Sequence, residues 1–216
     1  MTSMTNFAPR DYLLIQADKV FNAFGYRHTS MGEIARVAGV SRQGLYHHFA
    51  NKPQLFAAVI EMVHADTINE AAAARDAART GGAGLEDVVT AMLDARFGEL
   101  LRAVMSSPHH DELLDEISKR CADVVTAHAI RFHKMLIEVI QDEIDSGRFR
   151  LADDVRPDDL ALAFATIARG INIKQPPPNP GDVRDDYARH VRLILRGAGV
   201  LTPQPDMPAS DHRCRS

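Results

Sequence analysis

Residues 29–56 read TSMGEIARVAGVSRQGLYHHFANKPQLF, and this stretch decides the fold. The spacing predicts two short helices joined by a tight turn, then the start of a third. Ser30 is placed to cap the first helix, and Glu33, three residues on, completes a capping box. Ile34, Val37 and Ala38 supply the apolar side. Gly39 suits the left-handed residue that ends a helix cheaply, and Val40 fits the angle between the helices. Ser41 caps the second helix, whose Leu45 and Phe49 lie four apart and face inward. By spacing this is a helix-turn-helix, a motif whose second helix enters the major groove of DNA.

At roughly 100° per residue, Arg42, Gln43, Tyr46 and His47 fall together on the side of the second helix away from Leu45 and Phe49. Arginine can grip guanine or a phosphate, glutamine can read adenine, and an aromatic ring can touch a thymine methyl. Gly44 costs roughly 1 kcal/mol relative to alanine in a helix. Two reasons to keep it stand side by side: close approach to DNA, and close packing on a neighbouring helix. Asn51 is a cap for the third helix, with Pro53 in its first turn. Lys52 therefore sits where a helix N-terminus can bind phosphate.

Upstream, Leu13, Ala17, Val20, Phe21 and Phe24 mark a helix from about Pro9 to Phe24 that Gly25 ends. With the next two helices it makes a three-helix domain. Phe21, Gly25 and Tyr26, then Thr29-Ser30-Met31, Ile34-Ala35, Ala38-Gly39-Val40-Ser41, Leu45-Tyr46, Phe49 and Lys52 resemble the TetR family of transcriptional regulators. The likeness covers about residues 10 to 56. Gln43-Gly44 and Pro53 depart from the family pattern, and the first departure bears on the operator sequence rather than the fold. The resemblance implies an N-terminal DNA-binding domain, a homodimer reading a palindrome-like double-stranded operator, and a small-molecule effector. It also puts Thr29 among the DNA-contacting residues. No apolar run approaches about 18 residues, so no membrane span is expected, and no cofactor is expected.

The 216 residues carry a net charge of -4, which at first contradicts a DNA reader. The distribution matters more. Residues 1–60 hold Arg10, Lys19, Arg27, Arg36, Arg42 and Lys52 against Asp11, Asp18 and Glu33, a balance of +3 that leaves -7 for the rest. A basic N-terminal part and an acidic remainder fit a DNA reader joined to another unit. Cys121 and Cys214 are the two cysteines and suggest no disulfide framework, so a reduced, cytoplasmic setting is expected. Met1 to Pro9 lacks the features of a signal peptide and reads as a disordered tail.

The fourth helix is expected from Pro53 to about Arg79, roughly 40 Å at 1.5 Å per residue. That length lets it begin in one domain and end in the next. Thr80-Gly81-Gly82-Ala83-Gly84 breaks it. Leu85 to Met105 reads as one helix, with Val88, Met92, Phe97, Leu100, Leu101 and Val104 on its apolar side. A short helix at Asp111 to Ile117 precedes a long one to about Ser146, with Val125, Phe132, Leu136, Val139, Ile140 and Ile144 inward; whether the two are continuous is left open. Arg148 to Pro157 reads as a loop, and no segment argues for a strand. Asp158 to Ile173 and Asp185 to Arg196 are the last helices, with a proline-rich loop between them. Leu160, Phe164, Ile167 and Ile171, and Tyr187, Val191, Ile194, Leu195 and Ala198, form their apolar stripes. These stripes are expected to build a four-helix bundle with a second subunit. Thr202 to Ser216 is a polar, disordered tail.

The fold expected is all-α: DNA-binding residues 1–52, a ligand-binding and dimerisation domain over 53–201, and the tail. Met92, Phe97, Met105, Phe132, Met135 and Phe164 are candidates to line an apolar ligand cavity, although each alone is more often core. His109-His110-Asp111 and Cys121 with His128 invite a metal reading. Seven residues of helix span about 10.5 Å, too far for one ion. Asp153-Asp154 and Asp158-Asp159 are explained by capping and solvation. No nucleophile elbow, P-loop or dinucleotide fingerprint is present. The reading is a DNA-binding repressor released by an apolar or amphipathic ligand, and not an enzyme. The rival is a helical enzyme or metal protein retaining a relic DNA-binding domain.

Overall fold

The computed structural model describes residues 9–173 and 178–201. Helix α1 spans Arg10–Phe24, α2 Met31–Val37 and α3 Arg42–His48. The Ser30 side chain accepts from the Glu33 N–H at 3.2 Å, while Glu33 accepts the Ser30 N–H at 2.8 Å. This is the expected capping box. Gly39 adopts φ 68°, the left-handed turn between α2 and α3. Leu13, Ala17, Val20, Phe21, Ile34, Ala38, Leu45 and Phe49 are buried together. Phe24 and Val37, expected on that apolar side, are exposed instead. Each lies at the last residue of its helix, where a side chain extends past the packed face.

Helix α4, Lys52–Thr80, is 29 residues long, or about 43 Å at 1.5 Å per residue. Its first turns (Leu55, Phe56, Val59, Ile60) pack in the same core as α1–α3. Its second half (Ile68, Ala71) belongs to a second core. One rigid helix therefore serves both cores, as its length predicts.

The segment expected as one helix from Leu85 to Met105 is interrupted. Helix α5 runs Leu85–Leu93, a π-turn occupies Asp94–Gly98, and α6 runs Glu99–Met105. The wider turn is supported from outside: Asn172 Nδ2 donates to the Phe97 carbonyl at 2.9 Å and Tyr187 Oη donates to Asn172 Oδ1 at 2.6 Å. A π-turn advances the face by roughly one residue, and here it turns Arg96 into the interior. The side chain of Val104 lies outside the described residues.

Helix α7, His110–Arg120, and helix α8, Ala122–Asp145, are separate, broken at Cys121. The stretch expected as a loop contains a strand, β1, Phe149–Leu151, antiparallel to β2, Gly199–Leu201. Three residues are too few to show an alternation, and the partner lies about fifty positions away. Helix α9 spans Pro157–Asn172 and α10 Val183–Ala198. The second starts earlier than expected because Val183 is buried and joins the core.

The stripes expected to meet a second subunit pack within their own. Leu160, Phe164 and Ile171 of α9 and Tyr187, Val191 and Leu195 of α10 sit in the second core with Val88, Met92, Phe132 and Leu136. A different face of these helices stays open. Leu162 (51 % exposed), Ile173 (78 %) and Leu193 (61 %) lie there. Beta carbons added at Gly170 and Gly197 would meet nothing within 4 Å. The expected disordered tails and Cys214 lie outside the described residues, as does part of the proline-rich loop. Among the described residues no helix is long and apolar enough to cross a membrane.

Candidate nucleic-acid interface

Helix α3 is held by its buried side and presents its other side to solvent. Leu45 and Phe49 anchor it, and Ser41 caps it by accepting the Gly44 N–H at 3.0 Å. Arg42, Gln43, Tyr46 and His47 are all exposed. The Arg42 guanidinium lies 5.8 Å from the Tyr46 ring centre, which keeps the two side chains extended along one face. A Cβ at Gly44 would come 3.2 Å from Ser41 Oγ and 3.9 Å from Val40 Cβ, both in the turn before its own helix. No neighbouring helix approaches Gly44 that closely, so packing between helices does not explain it.

Two of the expected contact residues face inward. The Thr29 side chain is buried at 3 % exposure, and its hydroxyl donates to the Gly25 carbonyl at 2.6 Å. It shapes the loop between α1 and α2 instead of offering a hydroxyl to a ligand. Lys52 Nζ donates to the carbonyls of Tyr26 (2.9 Å) and Thr29 (2.8 Å) and lies 4.4 Å from the Tyr26 ring centre. Its side chain clasps the same loop. Asn51 caps α4 as expected, accepting the Gln54 N–H at 2.9 Å.

That loop is also gripped by α7. The Arg27 N–H donates to Glu112 at 2.6 Å, and its guanidinium reaches Glu116 and Asp115, each at 3.2 Å. Arg120 pairs with Glu116 at 2.6 Å and stands 4.9 Å from the Tyr26 ring centre. The Arg120 guanidinium, with help from Arg27, holds the Glu116 carboxyl below its ordinary range. Ser107 Oγ donates to the Asn22 carbonyl at 2.7 Å. Helix α7 is thus tied to the loop between α1 and α2 by ion pairs that sequence reasoning missed. Only the i,i+4 pairs within α7, Asp115–Lys119 and Glu116–Arg120, carry a sequence signal; Arg27 lies nearly ninety positions away.

This geometry has known counterparts. The family model for bacterial regulatory proteins of the tetR family matches residues 13–59. The activator FasR of Mycolicibacterium smegmatis is 44 % identical over 79 residues, 35 % of each chain. Over residues 13–59 the chain is similar to the TetR family. The regulator AcrR of Shigella flexneri is 42 % identical over 53 residues, 24 % of this chain and 25 % of its own. These matches span only about a quarter to a third of the curated relatives. The likeness in fold extends further: a transcriptional regulator from Cytophaga hutchinsonii superposes with a TM-score of 0.69 at 18 % identity, over 88 % of this chain and 98 % of its own.

The six residues considered for a ligand cavity share one region, and none of them lines the apolar cavity found among the described residues. Met92, Phe132 and Phe164 are buried in the second core, with Phe97, Met105 and Met135 packed against it. An apolar cavity of about 270 Å³ lies elsewhere, between α1, α4, α6, α7 and α8. Among the described residues no three His, Cys, Asp or Glu gather to hold a metal. Cys121 is buried, and burial pushes its thiol up, away from the reactive thiolate.

Proposed function

We propose that the chain is a sequence-specific DNA-binding transcriptional regulator, a homodimeric repressor released by a small apolar or amphipathic ligand. The observation that carries this reading is the exposed Arg42–Gln43–Tyr46–His47 face on a helix capped by Ser41 and pinned by Leu45 and Phe49. Residues 1–52 read the DNA and 53–201 carry dimerisation and control. Gly44 lets the helix backbone approach the groove, and the N-terminus of α4 at Lys52 faces the phosphate backbone. The exposed face of Leu162 and Gly170 on α9, Ile173 just past its end, and Leu193 and Gly197 on α10 meets the same face of a second copy. Small residues there allow close helix approach. The setting is cytoplasmic, and no catalytic role is assigned.

The test is binding of the purified chain to DNA from upstream of its own gene and to random DNA, over a range of salt. Preference for the upstream DNA with a palindrome-like footprint supports the reading; equal affinity for all DNA overturns it. FasR is named an activator, so the direction of control needs its own measurement. Transcription from the bound promoter should rise when the gene is deleted. A fall would make the protein an activator.

A further inference from the structure

Behind the apolar cavity lies a buried cation without a counter-charge. Arg96, in the π-turn, is 2 % exposed. It donates through one terminal nitrogen to Thr67 Oγ1 at 2.5 Å and through the other to His64 Nδ1 at 2.8 Å. Its Nε is buried with no hydrogen-bond partner. Among the described residues no carboxylate lies within ion-pair distance of it; the nearby Glu61 pairs with His128 at 3.0 Å. Burial lowers the guanidinium to about 10, so it still carries its charge at neutral pH. A lone buried charge is costly and calls for a partner.

His64 carries that charge to the cavity. Arginine can only donate, so His64 Nδ1 accepts and the ring proton sits on Nε2. Burial, then Arg96 and His128, lower His64 to about 4 and keep the ring neutral. Its Nε2–H is therefore a donor polarised by the guanidinium behind it. His64 lines the cavity together with Phe21, Phe56, Ile60, Leu100, Leu113 and Ile117. His128, 1 % exposed, lies 5.8 Å from His64 between ring centres, and its Nδ1 is also without a partner. The carboxyl on the cavity wall, Asp18, accepts from Asn22 at 2.9 Å, and burial raises it toward its neutral form.

We propose that this cavity binds a small amphipathic carboxylate. Its apolar tail packs against the phenylalanines and leucines, and its carboxylate accepts the His64 Nε2–H in the field of Arg96. At about 270 Å³ the space lies just under the roughly 300–1,000 Å³ of drug-sized pockets, which selects a short chain or a single ring. The proposal deepens the ligand-responsive reading and rests on it. The cavity walls come from α1 of the DNA-reading domain and from α4, α6, α7 and α8 of the rest. A ligand there wedges the joint between the two.

The test uses octanoate and its neutral analogue octanol as probes on the full chain, by calorimetry and melting temperature. Octanoate should bind at least tenfold more tightly than octanol. Arg96→Met should remove that preference, and Val63→Phe, which fills the cavity without touching the cation, should abolish binding of both. Equal binding of the two probes overturns the proposal, as does octanoate binding that survives both substitutions unchanged. Operator affinity is measured in parallel. Octanoate binding as described with operator affinity unchanged keeps the site and removes the control; an intact operator affinity that some other ligand changes, with no octanoate binding, removes the site and keeps the control.

Discussion

Replacing Lys52 with alanine separates two roles for one amine. If Lys52 holds a DNA phosphate, its loss weakens binding to every sequence and leaves the fold alone. The structure points its Nζ at the carbonyls of Tyr26 and Thr29 instead, at 2.9 and 2.8 Å. Hydrogen bonds to a charged donor are worth about 1.5–3 kcal/mol each. Because the amine is only half-buried, the pair is discounted below the sum of two such bonds, to about 2–3 kcal/mol. For a chain of this size each kcal/mol moves the melting temperature by roughly 2–4 °C, so Lys52→Ala should melt about 4–12 °C lower. The assay is thermal unfolding without DNA, combined with the slope of operator affinity against salt. A lost phosphate contact would flatten that slope by about 0.9. The loop role leaves the slope nearly unchanged while the affinity falls through a displaced α2. An unchanged melting temperature with a slope lowered by about 0.9 would refute the structural argument.

Gln43→Ala should relax base choice by about 1–3 kcal/mol if the side chain makes a bidentate base contact; equal weakening on operator and random DNA would sink its reading role. His64 makes stability depend on pH. The unfolded chain takes its proton below about 6.5, the folded one only near 4. Stability therefore falls as pH drops through that window, by about 3 kcal/mol at roughly 1.4 kcal/mol per pH unit. Urea midpoints at several pH values should show a smaller loss for His64→Gln, and identical profiles would contradict the assignment. If the proposed dimer forms, Leu162→Lys combined with Leu193→Lys should leave a monomer in sedimentation at micromolar concentration; a dimer that persists would place the interface elsewhere.

The local chemistry of residues 29–56 was readable without a structure. Caps, the left-handed glycine and the i,i+4 pairing of Leu45 with Phe49 act over a few residues, so the order of letters suffices to determine the helix-turn-helix and the exposed face of α3. The same holds for α4, where an unbroken helical pattern carried its length and its reach between two cores. What needed the tertiary structure is whatever depends on partners distant in the chain. The sequence shows an apolar stripe on α9 and α10 but not whether it faces its own core or a second copy. The π-turn at Asp94–Gly98 is held by Asn172, some seventy-five positions away, and only that insertion turns Arg96 inward. Lys52 reads as a phosphate contact because it opens a helix, and Thr29 as a contact through the family resemblance. Here the carbonyls of the α1–α2 loop compete for them and win, since a buried carbonyl without a donor is expensive. The clip between Arg27 and α7, and the cavity with its buried cation, arise from packing α1 against α4, α6 and α7. No periodicity within any one of those helices records it.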